Sequence, residues 1–245
     1  MNEPAAPVTV AIRIPGKWSH PRELFERLPA GCRVTEAGLI LPGEEPIELG
    51  ALAPDDQFAQ IFRTSCRRPA TDEELAAVDG YRVNVCLSGP GGSLAAARKM
   101  MQAAAAVVRA GGAGVFVDNG VIAHGGGHWL EMTEDGSPDA VSFAFVSIVS
   151  GKAEAWTMGM HVLGLRDVVM KRADAEADEF GIIDVIRYLA CGEKPVGDGH
   201  VLADLSGPRF RALAQESPDI HPGSPVHNPF GRLKLVSVRD FAESN

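Results

Sequence analysis

The stretch from Tyr81 to Gly120, YRVNVCLSGPGGSLAAARKMMQAAAAVVRAGGAGVFVDNG, constrains the fold more than any other part of the chain. YRVNVCL is short, apolar and β-branched, as a strand should be. Glycines follow it, and then a helical pattern. Leu94, Ala97, Met101, Ala104 and Val108 fall on one face, while Arg98, Lys99, Gln102 and Arg109 avoid that face. Ser93 stands at the expected N-cap, and Gly111 and Gly112 stop the helix after Ala110. AGVFVD is the next strand. Strand, helix and strand together predict a right-handed βαβ crossover with parallel strands.

Other elements follow by the same reasoning. VTVAIRI alternates as a strand. Pro21 sits at the start of a short helix, with Glu23 near its positive end. CRVTEAGLILPG reads as a hairpin, and EEPIELG as an edge strand held at the margin by Pro46. Phe58, Ile61 and Phe62 recur at helical spacing, and Thr71 with Glu74 forms a capping box for another helix. AVSFAFVSIVSG reads as a long strand. AWTMGMHVLGLRDVVMK reads as extended chain broken at Gly164. ADAEADEFGIIDVIRYLA reads as one helix whose first turns carry Asp174, Glu176, Asp178 and Glu179. GHVLADLS and GRLKLVSV are late strands around a Pro/Gly-rich stretch. The fold class expected is α+β: a mixed β-sheet with a βαβ crossover and helices packed on it. Residues 1–70 form an N-terminal α/β segment packed on a main α+β domain, 71–245, with a single domain as the alternative.

Charge narrows the function classes. The net charge of −9 over 245 residues is diffuse, and no Lys/Arg run makes a basic face for nucleic acid or an anionic membrane. The densest basic clusters are Arg63 with Arg67 and Arg68, and Lys171 with Arg172. Four cysteines, Cys32, Cys66, Cys86 and Cys191, lack C-x-x-C spacing and read as reduced thiols. MNEPAAPVTV has no basic-then-apolar leader, so the expected compartment is the bacterial-type cytoplasm.

Three places merit chemical attention. Gly89, Gly91, Gly92 and Ser93 join a strand to a helix N-terminus, where free N–H groups and the dipole can hold an anion. The loop lacks the G-K-[ST] of a Walker A motif, and Asp118 lies late for a ribose-binding acid. The plain alternative is a turn shaped by Pro90. The second place is HGGGHW. His124 and His128 are four apart, but three glycines disfavour the helix a two-histidine metal site needs, and no H-E-x-x-H is present. A third ligand has to come from Glu131, His161 or a cysteine. HGGG also matches an esterase oxyanion loop, without the G-x-S-x-G elbow such enzymes require. The plain alternative is a flexible glycine loop. The third is Cys66, whose thiol is lowered if Arg67 and Arg68 face it. No cofactor is expected.

EAWTMGMHVLGLRDVVM carries a T-x-G-[ML]-x-x-[LF]-G-x-x-[DE] pattern at Thr157, Gly159, Met160, Gly164 and Asp167. With the Tyr81–Gly120 stretch it resembles a bacterial domain-of-unknown-function family, number 4261, over roughly residues 80 to 205. The resemblance implies a shared fold and carries no activity, cofactor or catalytic residue. The glycines are read as sites of close backbone approach, Met160 as core, and Asp167 as a carboxylate bonded to backbone or arginine.

These observations lead to a non-catalytic cytosolic protein that binds another protein, as an adaptor or immunity-type protein does. The acidic charge suits a basic partner. The alternative is a small-molecule or nucleotide-binding protein or enzyme, using Gly89–Gly92 and His124–His128 in one cleft with Asp118. A homo-oligomer pairing through Ala140–Val149 is a third reading.

Overall fold

The computed structural model describes residues 7–177, 180–192, 195–218 and 220–238. The fold is α+β, with helices packed on two principal sheets. The first sheet has strand order β4-β5-β1-β6-β7. Its strands are β1 (Thr9–Gly16), β4 (Glu48–Leu52), β5 (Val83–Pro90), β6 (Gly114–Val117) and β7 (Ile122–Gly125). The small hairpin β2 (Arg33–Thr35) and β3 (Gly38–Ile40) stands beside it.

The crossover exists, but not as parallel neighbours. α4 (Leu94–Arg109) carries the chain from β5 to β6, and these two strands run in the same direction. β1 lies between them, antiparallel to both, with Ile12 opposite Leu87 on one side and Val117 on the other. Local pattern could not show this, because the inserted strand comes from about 70 residues upstream of β5. Every pairing in this sheet is antiparallel.

α4 is the centre of the molecule. Ser93 caps it by accepting the Ala96 N–H at 3.1 Å. Burial is wider than one stripe: Met100, Ala103, Ala105, Ala106 and Val107 are covered as well as the expected face. The reason is that the sheet takes one side, while α5 (Gly126–Asp135) and α6 (Pro138–Phe145) take others. Alanines let those backbones approach closely.

The second sheet has order β11-β12-β13-β10-β9-β8. Its members are β8 (Ser147–Ser150), β9 (Glu154–Met158), β10 (Asp167–Lys171), β11 (Val201–Asp204), β12 (Gly207–Gln215) and β13 (Arg232–Ser237). β10 and β13 pair in parallel and the rest antiparallel, so this sheet is mixed. One continuous apolar core joins both sheets through α4 and α6. A smaller cluster of Phe58, Phe62, Tyr81 and Phe116 lies under α2 (Phe58–Ser65) and α3 (Asp72–Asp79).

Several expectations are corrected. Ala140–Val149 is not a strand: Ser137 and Pro138 start α6, and only Ser147–Ser150 is extended. Ser137 accepts the Ala140 N–H at 3.1 Å, so the cap overrides the β propensity of Val and Phe. Val141, Ala144 and Phe145 are fully buried, so residues 140–145 cannot pair as a strand across a dimer; Ser147–Ser150 is the edge strand of the second sheet. The single helix expected after Ala173 is two, α7 (Arg172–Ala175) and α8 (Ile182–Cys191). Asp178 and Glu179 lie outside the described residues. The Met160–Leu163 segment is one 3-10 turn between β9 and β10. Sequence reading missed β12 altogether.

Candidate functional site

The glycine loop turns two of its N–H groups to protein backbone. Gly91 donates to the Val8 carbonyl at 2.8 Å and Gly92 to Val162 at 2.9 Å. Those N–H groups are therefore spent on protein backbone. Gly89 makes room for Met100, whose Sδ lies 2.5 Å from where a Cβ would stand. Asp118 is paired too: Arg13 grips it with Nε at 3.0 Å and Nη2 at 2.9 Å. Burial pushes the Asp118 carboxyl up, and Arg13 partly offsets this.

HGGGHW is not a flexible loop. It ends β7 and begins α5, so His124 is in a strand and His128 in the first turn of a helix. His124 is fully buried, with Nε2 3.0 Å from the Ala144 carbonyl. Burial holds its pKa down at about 3, so the ring is neutral. The glycines admit a carboxylate. Glu74 Oε1 accepts the Gly127 N–H at 2.8 Å, while Oε2 accepts Thr71 N at 2.8 Å. A Cβ on Gly125 would lie 2.3 Å from Glu74 Oε2. One side chain thus completes the capping box of α3 and caps α5, where the helix dipole favours an anion.

The two loops do not share a cleft. Asp118 follows the end of β6 beside the glycine loop, but β7 then runs back, so His124 faces Val115 and Gly125 faces Gly114 at the far end. The proposed cleft of His124, His128 and Asp118 is therefore not formed. Cys66 is corrected as well: burial pushes its thiol up, outweighing the nearby Arg63. Among the described residues, no three His, Cys, Asp or Glu side chains gather to hold a metal ion.

The pattern residues build a buried scaffold. Thr157 Oγ1 accepts the Val168 N–H at 2.8 Å and donates to Asp167 Oδ1 at 3.2 Å. Asp167 Oδ1 also receives Met160 N at 3.3 Å, and Oδ2 receives Asn228 Nδ2 at 2.9 Å. Gly159 and Gly164 have φ of +98° and +79°, and a Cβ on Gly164 would lie 2.4 Å from the Gly92 carbonyl. The turn they bracket presents His161, which sequence reading named only as a spare ligand. His161 Nε2 lies 3.0 Å from Pro225 O and 3.1 Å from Asn119 Nδ2. Asn119 already donates to Thr9 O at 2.9 Å and Pro225 O at 3.0 Å, which uses both amide hydrogens. Nε2 therefore carries the imidazole proton and donates to Pro225. Burial lowers the His161 pKa to about 4. Asn119 gave no sequence signal; its role depends on segments more than 100 residues apart.

An apolar concavity lies elsewhere, between α1 (Pro21–Arg27) and the outer strand β4. Its volume is about 510 Å³. His20 caps α1 by accepting Arg22 N at 3.1 Å, and Pro21 takes the first helical position. Leu24 then points inward, while Phe25, on the groove wall, stays 42% exposed. Trp18 forms the floor, fixed by its Nε1 donating to Ala110 O at 2.9 Å. Leu49, Gly50 and Ala51 form the β4 side. Arg82 stands on the wall with Nη1 on Ser19 Oγ at 2.6 Å, and has no carboxylate partner among the described residues.

The strand beside this groove is open. Leu39 and Ile47 exchange backbone bonds of 2.8 Å, but past Ile47 no backbone bond leaves the outer side of β4 among the described residues. The opposite edge, β7, is covered where Cys66 bridges Ala123. The walls were legible as a helix and an edge strand; their adjacency was not. No protein-family model, curated protein or solved structure matches this chain.

Proposed function

We propose that this chain is a non-catalytic binding protein, of adaptor or immunity type, that takes up an extended segment of a partner protein along β4. The observation that carries the reading is the open edge of Glu48–Leu52 beside an apolar groove. Strand addition draws affinity from backbone hydrogen bonds and specificity from side-chain pockets. Trp18, Leu24, Phe25 and Leu49 suit apolar side chains. Arg82 suits an acidic one, since a carboxylate gives it a charge-assisted pair. The segment is therefore apolar and acidic, although the net charge of −9 favours a basic surface on the partner as a whole.

A cytoplasmic setting belongs to the same proposal, supported by four free thiols. No helix among the described residues is long and apolar enough to cross a membrane. Membership of the family numbered 4261 is also part of it, supported by the buried Thr157, Gly159, Met160 and Asp167 and by the close backbone approach at Gly164.

Selection from a random peptide library tests the reading. Wild type is expected to enrich peptides with alternating apolar residues and one acid, and Phe25→Asp to lose them. Arg82→Glu is expected to exchange the acid for a base. Selected peptides that bind Phe25→Asp equally well end the proposal.

A further inference from the structure

The densest basic cluster of the sequence remains without a role. Arg67 and Arg68 follow α2 where the chain crosses the outer edge of β7. Both guanidinium groups gather on one ring: Arg67 Cζ lies 4.4 Å and Arg68 Cζ 5.6 Å from the centroid of Phe143, on α6. His128, on α5, meets the same ring edge-on, 5.6 Å between centroids. Three groups that are or can become cationic, from two segments, are thus gathered on a ring supplied by a third.

Arg67 is the informative member. It is half-buried, and among the described residues its one side-chain hydrogen bond runs from Nη1 to the Phe143 carbonyl at 3.3 Å. A guanidinium has five N–H donors, so most of its capacity is unused. Elsewhere in this acidic chain Arg13, Arg63, Arg187 and Arg209 each hold a carboxylate. Neither Arg67 nor Arg68 does so among the described residues. The acids that His128 feels are Glu74, already spent on Thr71 and Gly127, and Glu131, exposed on α5. Withdrawing a cation from water without a counter-charge is costly, and a charge-assisted pair with an anion recovers that cost.

We infer that Arg67, Arg68 and His128 form a binding site for a tetrahedral oxyanion, the phosphoryl group of a small phosphomonoester. Two guanidinium forks match the oxygens of a phosphoryl group, and a protonated imidazole matches its second charge. Phe143 keeps the forks in place by stacking and by its carbonyl. Burial and Arg68 both lower the His128 pKa in the free protein, and a bound dianion reverses this. Loading the site is therefore coupled to uptake of one proton. This site is remote in composition from the β4 groove and stands independently of it.

The test is NMR titration of the full chain with inorganic phosphate, methyl phosphate, sulfate and acetate at low ionic strength. Phosphate and methyl phosphate are expected to shift the Arg67 and His128 side-chain resonances and to saturate. If methyl phosphate binds more tightly than phosphate, the ester is the ligand; the reverse assigns the site to free phosphate and overturns the phosphomonoester. Sulfate, whose charge is constant near neutrality, is expected to raise the His128 pKa by ~1 unit. Arg68→Ala, an exposed change, is expected to weaken phosphate at least about tenfold. Arg67→Lys, which keeps the charge and loses the fork, is expected to do the same while the thermal transition is retained. Acetate binding as well as phosphate, or no saturable shift with any of the anions, overturns the proposal.

Discussion

Asp167 and Asn228 are joined by a 2.9 Å hydrogen bond between buried side chains 61 residues apart. The bond ties β10 to the Pro-rich segment after β12, and the same carboxylate holds Met160 N–H and Thr157. Asp167→Ala leaves three donors unanswered in the core. The expected loss is about 3–5 kcal/mol by urea unfolding, because orphaned buried partners cost more than a net hydrogen bond. Asn228→Ala should cost less. The double variant should lose at least ~1 kcal/mol less than the two changes summed. Strict additivity would show that the two residues act separately.

Acid should destabilise this protein through its histidines. His161 and His124 have folded pKa values of about 4 and about 3, below the ordinary 6.5. Their contribution is complete above pH 6.5 and is lost as pH falls through those values. For His161 the full loss is on the order of 3 kcal/mol. Asp167 works the other way. Burial raises it to about 6, so its contribution is present below its unfolded value and lost as pH rises through 6. Between about pH 6 and 4 the effects oppose each other. Asp167→Asn should therefore steepen the acid fall, and His161→Gln should flatten it. Denaturation midpoints measured from pH 8 to 3.5 check both slopes.

Glu74 caps two helices at once, and Gly125 leaves the space for it. Glu74→Ala should cost about 2–3 kcal/mol, more than an ordinary cap, since it removes the bonds at both Thr71 and Gly127. Gly125→Ala should cost a similar amount by displacing the carboxylate. Calorimetry of the pair together should show little further loss, as both changes break one contact.

Val121 has φ of +49° in the exposed turn between β6 and β7. A β-branched residue is strained there, at a cost of about 1–3 kcal/mol. Val121→Asn should raise stability by ~1 kcal/mol in thermal unfolding, because Asn tolerates this conformation without glycine's entropy cost. A lower midpoint would argue that Val121 packs more than its 41% exposure indicates.

Local signals read well wherever the determinant was local. Ser93, Pro21 and the Thr71–Glu74 box placed three helices, since a cap depends on residues three or four apart. The failures came from distance. Ala140–Phe145 has strand composition, yet the Ser137 cap and burial against α4 make it a helix. HGGGHW offered metal and oxyanion readings because nothing beside it names Glu74, 53 residues from Gly127. The pattern from Thr157 to Asp167 was visible as residues, but its purpose depends on Asn228. The groove was legible only as two unconnected elements.

The placing of β1 has a consequence for how the chain is made. It is synthesised before both of its neighbours, so it waits for β5, which meets it along its whole length, and then for β6. Until β5 is available, the apolar Val10, Ile12 and Ile14 have no sheet to enter. Pairing across such separations carries loop-closure entropy and slows folding. The middle strand of the sheet thus waits for partners made much later in the chain, and the nascent segment needs protection from aggregation until they arrive.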